Sequence, residues 1–142
     1  MRLVFSGHQV NPPPLRYVGQ RVAAPTYGDT NGSFRHNGTY YQDQDVLTVS
    51  FNLEILIVNG LDPATQASVM AHEEEHRRDF AEQAERLRLA IHRALRQGRD
   101  HQIDARWDWF NYDLREAANA YHRRVGQGDI IPNNEPGRPR PV

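Results

Sequence analysis

Residues 46 to 58, VLTVSFNLEILIV, alternate in polarity over their whole length, and no other stretch restricts the fold as tightly. Leu47, Val49, Phe51, Leu53, Ile55 and Ile57 fall on one side, with Thr48, Ser50, Asn52 and Glu54 among those on the other. A period of two specifies one long strand, or two consecutive ones, with a buried and a partly exposed face, and excludes a helix. The chain then breaks at NGLDP, where Asp62 supplies a helix cap and Pro63 fits the first helical position. From Pro63 to about Gln97 nothing stops a helix, and Gly98 ends it. Its apolar stripe runs through Val69, Phe80, Ala84, Leu87, Ile91 and Leu95.

A second helical pattern covers about Gln102 to Val125, with a stripe of Ile103, Trp107, Phe110, Leu114, Ala117/Ala118, Tyr121 and Val125. Two long helices joined by a few residues lie antiparallel. The expected fold is therefore α+β, with the 46–58 strand packed on an antiparallel helix pair. At 142 residues the chain is read as one domain. Its core spans 46–125, preceded by a turn-rich arm over 1–45 and followed by an extended or disordered tail over 126–142. Within the arm, the pairs Asn31-Gly32 and Asn37-Gly38 predict tight turns between short strands, and TYY at 39–41 fits a strand.

The first helix carries VMAHEEEHRRDF at 69–80, in which His72, Glu73 and His76 satisfy H-E-x-x-H. Histidines four apart sit one above the other on a helix, so two imidazole nitrogens can converge on one zinc ion. The glutamate beside the first is placed to take a proton from the water that zinc activates. Glu73 falls near the centre of the apolar stripe and the histidines on its edge, whereas a solvated helix would turn such residues away. Catalytic zinc takes a third protein ligand. Folding the hairpin at residues 99 to 100 brings position 122 level with 77, which ranks His122 first, Glu116 second and Asp129 third.

Other residues carry blander readings. His8, His36, His92 and His101 lack a partner at ligand spacing and are expected to be exposed or locally hydrogen-bonded. Trp107, Trp109, Phe110, Tyr112 and Tyr121 are expected to pack the second helix, with a hydrogen bond to an oxyanion as the second reading of Tyr121. Arg77, Arg78, Arg123 and Arg124 read as a solvated rim, and Glu74 and Glu75 as solvent-facing charge.

MAHEEEHRRDF, followed by AANAYHRRVGQGD, resembles a group of bacterial proteins regarded as zinc-dependent peptidases, which pair an H-E-x-G-H helix with a later N-x-x-Y-D-x-x-T-x-H-G segment. His72, Glu73 and His76 match, as do Asn119, Tyr121 and Gly128. The chain has His122 where the family has Asp, Val125 where it has Thr, and Gln127 where it has His. The resemblance implies a compact zincin-like fold, a small antiparallel sheet with a long edge strand against the helix pair, and hydrolysis of peptide bonds. It also implies that the strand before the helix, 46–58, is an edge along which an extended peptide pairs.

Seventeen basic and 18 acidic residues leave a net charge near zero, which argues against nucleic acid or an anionic membrane as partner. No run approaches membrane-spanning length and the N-terminus lacks a signal-peptide apolar region, so the expected location is cytoplasmic, by a non-classical route, or within a particle. The absence of cysteine leaves any metal to His and carboxylates. The leading expectation is a metallopeptidase with one zinc ion and a peptide or protein substrate. The alternative is a structural or interaction protein of a virion or secretion apparatus, docking through arm and tail and possessing at most a silent, zincin-like peptide site.

Overall fold

The computed structural model describes residues 1–10, 14–19, 22–24, 28–128 and 131–142. In chain order the elements are β1 (Arg2–Ser6), β2 (Leu15–Val18), β3 (Val22–Ala24), β4 (Gly28–Thr30), β5 (Gly32–Asp43), β6 (Val46–Val58), α1 (Pro63–Arg96), a 3₁₀ turn (Asp100–Gln102) and α2 (Ile103–Arg124). The architecture is α+β: a four-stranded sheet packed on two long helices, with β3 and β4 as a separate antiparallel pair.

β6 is a single strand, and all six apolar residues of its alternating set are buried. It lies at the centre of the sheet rather than at an edge. β5 pairs antiparallel with it from Asp43↔Val46 to Gly32↔Ile57, occupying one side for its full length. β1 and β2 share the other side, both parallel to it, at 46–50 and 55–58 respectively. The expected all-antiparallel sheet with an exposed 46–58 strand is thus corrected to a mixed sheet in which 46–58 is paired on both sides. Its apolar face suits that place, because Leu47, Val49, Phe51 and Leu53 pack under the helices. Among the described residues β5 forms one outer edge of the sheet, and β1 and β2 form the other.

β5 also overturns the turn assigned to Asn37-Gly38, which lies inside the strand. The reversal occurs two residues before β6, with Gln44 at φ 54°. Gly38 answers to packing: a Cβ there would come within 2.6 Å of the Phe51 ring and 3.1 Å of Trp107. A bare backbone lets Trp107 stack on Phe51, with ring planes 5° apart.

α1 begins as its sequence dictates. Asp62 Oδ1 accepts from the Thr65 amide at 2.9 Å, with Pro63 in the first turn. It ends at Gly98, φ +68°, where the Arg99 amide donates back to the Ala94 carbonyl at 2.8 Å and turns the chain towards α2. Phe80, Ala84, Leu87, Ile91 and Ala94 bury against Leu47, Val49, Phe51 and Leu53 of β6 and against Ile103, Phe110 and Leu114 of α2. The far end of the α2 stripe differs from expectation. Asn119 and His122 are buried there, while Val125 is 48% exposed.

The described part of the tail lies back along α2. Asn119 donates through its amide to the Ile131 carbonyl at 2.8 Å and accepts from the Ile131 amide at 3.0 Å. Further on, Arg140 pairs with both carboxylate oxygens of Asp113 at 2.9 Å and lies 4.1 Å from the centre of the Trp109 ring. Among the described residues no helix is long and apolar enough to cross a membrane.

Candidate metal centre

The phase of α1, set at Asp62, turns His72, Glu73 and His76 towards the groove between α1, α2 and β5. The hairpin brings the last turn of α2 beside them. His76 Nε2 stands 3.1 Å from His72 Nε2 and 3.0 Å from His122 Nε2, and the three candidate ligand atoms lie within 4.8 Å of one another. His72, His76 and His122 are close enough to bind a metal ion.

An imidazole nitrogen offers one lone pair or one proton, so His76 Nε2 cannot make good hydrogen bonds to two other ring nitrogens by itself. A shared cation satisfies all three. Nitrogens held tetrahedrally 2.0–2.1 Å from zinc stand about 3.3 Å apart, close to the two spacings observed. Burial, then the neighbouring His72 and His122, pulls the His76 ring down to about 3, and burial also lowers His72 and His122. The rings are therefore neutral near pH 7 and offer lone pairs, as a metal site requires.

Glu73 is 7% exposed and borders the same groove. Burial pushes its carboxyl up to about 7, partly offset by a hydrogen bond from the Phe34 amide. That bond comes from β5, which approaches α1 closely where Gly32 leaves room: a Cβ on Gly32 would fall 2.4 Å from Val69 Cγ1. A carboxyl that titrates near neutrality can both accept and return a proton.

The groove is a cleft of about 410 Å³. One wall is Asn31 with Gly32 to Phe34 and His36 of β5; the other includes Asn111, Leu114, Arg115 and Ala118 of α2. Gln127 and Ile131 border it from the tail.

The remaining candidates separate cleanly. Glu116 accepts from Asn133 Nδ2 at 2.9 Å and is outside the histidine cluster; Asp129 falls outside the described residues. Tyr121, expected in the core, instead sets its ring 5.0 Å from His72 and 5.2 Å from His76. Arg77 is not a solvated rim residue. It is 7% exposed and binds Glu74 through Nε and Nη2, at 2.7 to 2.9 Å, with a longer contact to the Val10 carbonyl. Glu74 is accordingly a partner of a buried cation rather than free surface charge. Arg78 remains exposed, near Glu74 and Glu75.

His92 and His101 are exposed. His8 is not: it lies edge-on to Phe5 and 3.4 Å from Glu85, far away in the chain. His36 is exposed too, as expected, and borders the cleft with its ring 5.1 Å from Phe80. The available signal was the face shared by Gly32, Phe34, His36, Gly38 and Tyr40, which the two Asn-Gly pairs concealed.

Comparisons of the chain with protein-family models, with curated proteins and with solved structures return no match.

Proposed function

We propose that the protein is a zinc-dependent peptidase, with His72, His76 and His122 as metal ligands and Glu73 as general base. The observation that carries this reading is the convergence of three neutral imidazoles beside a buried carboxyl in an open cleft. A zinc ion held there would supply Lewis acidity, lowering the pKa of water and polarising a carbonyl. Glu73 accepts a proton from water as the water oxygen attacks the peptide carbonyl carbon. As the C–N bond breaks, the same carboxyl delivers that proton to the leaving amine.

The substrate strand in this proposal is β5's partner, not that of β6. The outer edge of β5 borders the cleft; the Phe34 amide is taken by Glu73, and an extended peptide laid along that edge pairs with the backbone beyond Phe34 while passing in front of Glu73. Docking into a larger assembly through the arm and tail has less support, since β1, β2 and the described tail all make contacts within the chain.

The test is hydrolysis of a mixed-sequence peptide pool by the zinc-loaded protein. Glu73→Gln should lower turnover by at least about 100-fold while keeping the zinc. Turnover that persists in Glu73→Gln, or a zinc-loaded protein that cuts no peptide, would remove the peptidase reading.

A further inference from the structure

The α2 wall of the cleft carries a guanidinium that the hydrolytic chemistry does not use. Arg115 borders the cleft beside Asn111 and Leu114, across from Phe34 and His36 of β5. It lies two turns before His122, about 10 Å along the helix axis. Its Nε donates to Asn133 Oδ1 at 2.8 Å. Asn133 is itself fixed, since its Nδ2 donates to the Tyr112 carbonyl at 3.1 Å and to Glu116 Oε1 at 2.9 Å. The tail therefore grips Arg115 by one edge.

Among the described residues, no carboxylate forms an ion pair with Arg115. The contrast with its neighbours is informative. Arg138 of the tail lies near Asp104 and Asp108 of α2, and Arg140 of the tail near Asp113, so these two tail cations each have a carboxylate of the helix beside them. The charge of Arg115 also reaches His36 across the groove, where it helps hold that ring below its ordinary pKa, after burial. An arginine with one edge anchored keeps its two terminal nitrogens available as a fork for a carboxylate, and less freedom is lost on binding than for a free side chain.

The geometry points to Arg115 as a specificity-determining residue that receives a carboxylate of the peptide, about three residues of extended chain from the bond cleaved, with Asn133 as its positioning residue. This rests on the reading of the cleft as a peptide site. The carboxylate is either an acidic side chain or the peptide's C-terminus, and the chemistry is the same for both.

The test uses the full chain in two arms. In the first, Glu73→Gln protein is incubated with an N-acetylated mixed-sequence peptide library, made once with free C-termini and once as amides, and retained peptides are sequenced by mass spectrometry. The expected result is enrichment of about 10- to 100-fold for a carboxylate over its neutral counterpart, falling to about one when Arg115→Gln is added. Enrichment for Glu over Gln at one position in both libraries identifies a side chain; enrichment for free ends over amides identifies the terminus. Asn133→Ala should lower the ratio several-fold, a change that lost stability alone would not produce. Equal retention of acidic and neutral peptides, a preference that survives Arg115→Gln, or no retained peptide would overturn the inference. The second arm measures cleavage with Glu73 intact. Carboxylate selectivity without cleavage keeps this inference and removes the hydrolytic reading; cleavage without selectivity does the reverse.

Discussion

The two halves of α1 face inward with opposite chemistry. From Phe80 to Ala94 the inward positions are Phe80, Ala84, Leu87, Ile91 and Ala94, all buried, while the outward ones form surface ion pairs such as Arg86–Glu82 and Arg88–Glu85. From His72 to Arg77 the same helical face carries Glu73 and Arg77, with His72 and His76 beside them. The first arrangement is what hydrophobic burial selects. The second opposes it, because a buried carboxyl and a buried guanidinium each cost free energy unless paired. Arg77 has Glu74 as its partner; for Glu73 the Phe34 amide offsets burial only in part. A helix that gives up stability at one end, on the side that faces a cleft, has the form expected of a functional site carried by a rigid scaffold.

Four substitutions test that contrast, and the largest effect belongs to the apolar half. Phe80→Ala should cost about 3–5 kcal/mol in denaturant unfolding, because the ring is fully buried among Phe34, Phe51 and Phe110. A loss under 1 kcal/mol would mean that the core lies elsewhere.

In the polar half the sign reverses. Glu73 has its folded pKa raised from 4.5 to about 7, so its protonated form is favoured in the folded state. Its contribution to stability is fully present below about pH 4.5 and is lost as pH rises through about 7. Glu73→Gln should therefore stabilise the metal-free protein at pH 8 by on the order of 2 kcal/mol and leave it nearly unchanged at pH 4. Comparison of unfolding midpoints at the two pH values checks this, and equal effects at both would contradict it. Zinc should abolish the gain at pH 8, since a nearby cation favours the ionised carboxylate.

The tail supplies a smaller effect. Asn119→Ala should cost about 1–2 kcal/mol by leaving the Ile131 backbone groups without their partners, and should raise hydrogen exchange at the Ile131 amide. Smallest of all, Arg86→Ala removes an exposed ion pair of the apolar half and should change stability by under about 0.5 kcal/mol.

How much of this was legible in the sequence depended on whether the determining contact was local. The period of β6, the Asp62 cap and the Gly98 stop are local, and the elements follow them closely. His122 beside His76 required only hairpin arithmetic from a short connection. The place of β6 within the sheet was not legible, because its second side is filled by β1 and β2, some 40 residues earlier, whose short stretches carry little periodic signal. β5 was hidden by a local signal that tertiary packing overrides: Asn37-Gly38 has the composition of a turn, but the glycine makes room for Phe51 and Trp107. Arg77 and Arg78 are adjacent and alike in sequence, but Arg77 lies on the inward face with Glu73 and Phe80, where it meets Glu74 and the Val10 carbonyl, while Arg78 is turned to solvent.

The most direct test of the central claim is a zinc count on the purified full-length chain by native mass spectrometry, comparing the wild type with His122→Ala. The account predicts one zinc ion per wild-type chain, lost in His122→Ala while the helical circular dichroism signal is kept. A folded wild type that takes up no zinc, or a His122→Ala protein that holds it as tightly, would contradict the three-histidine centre.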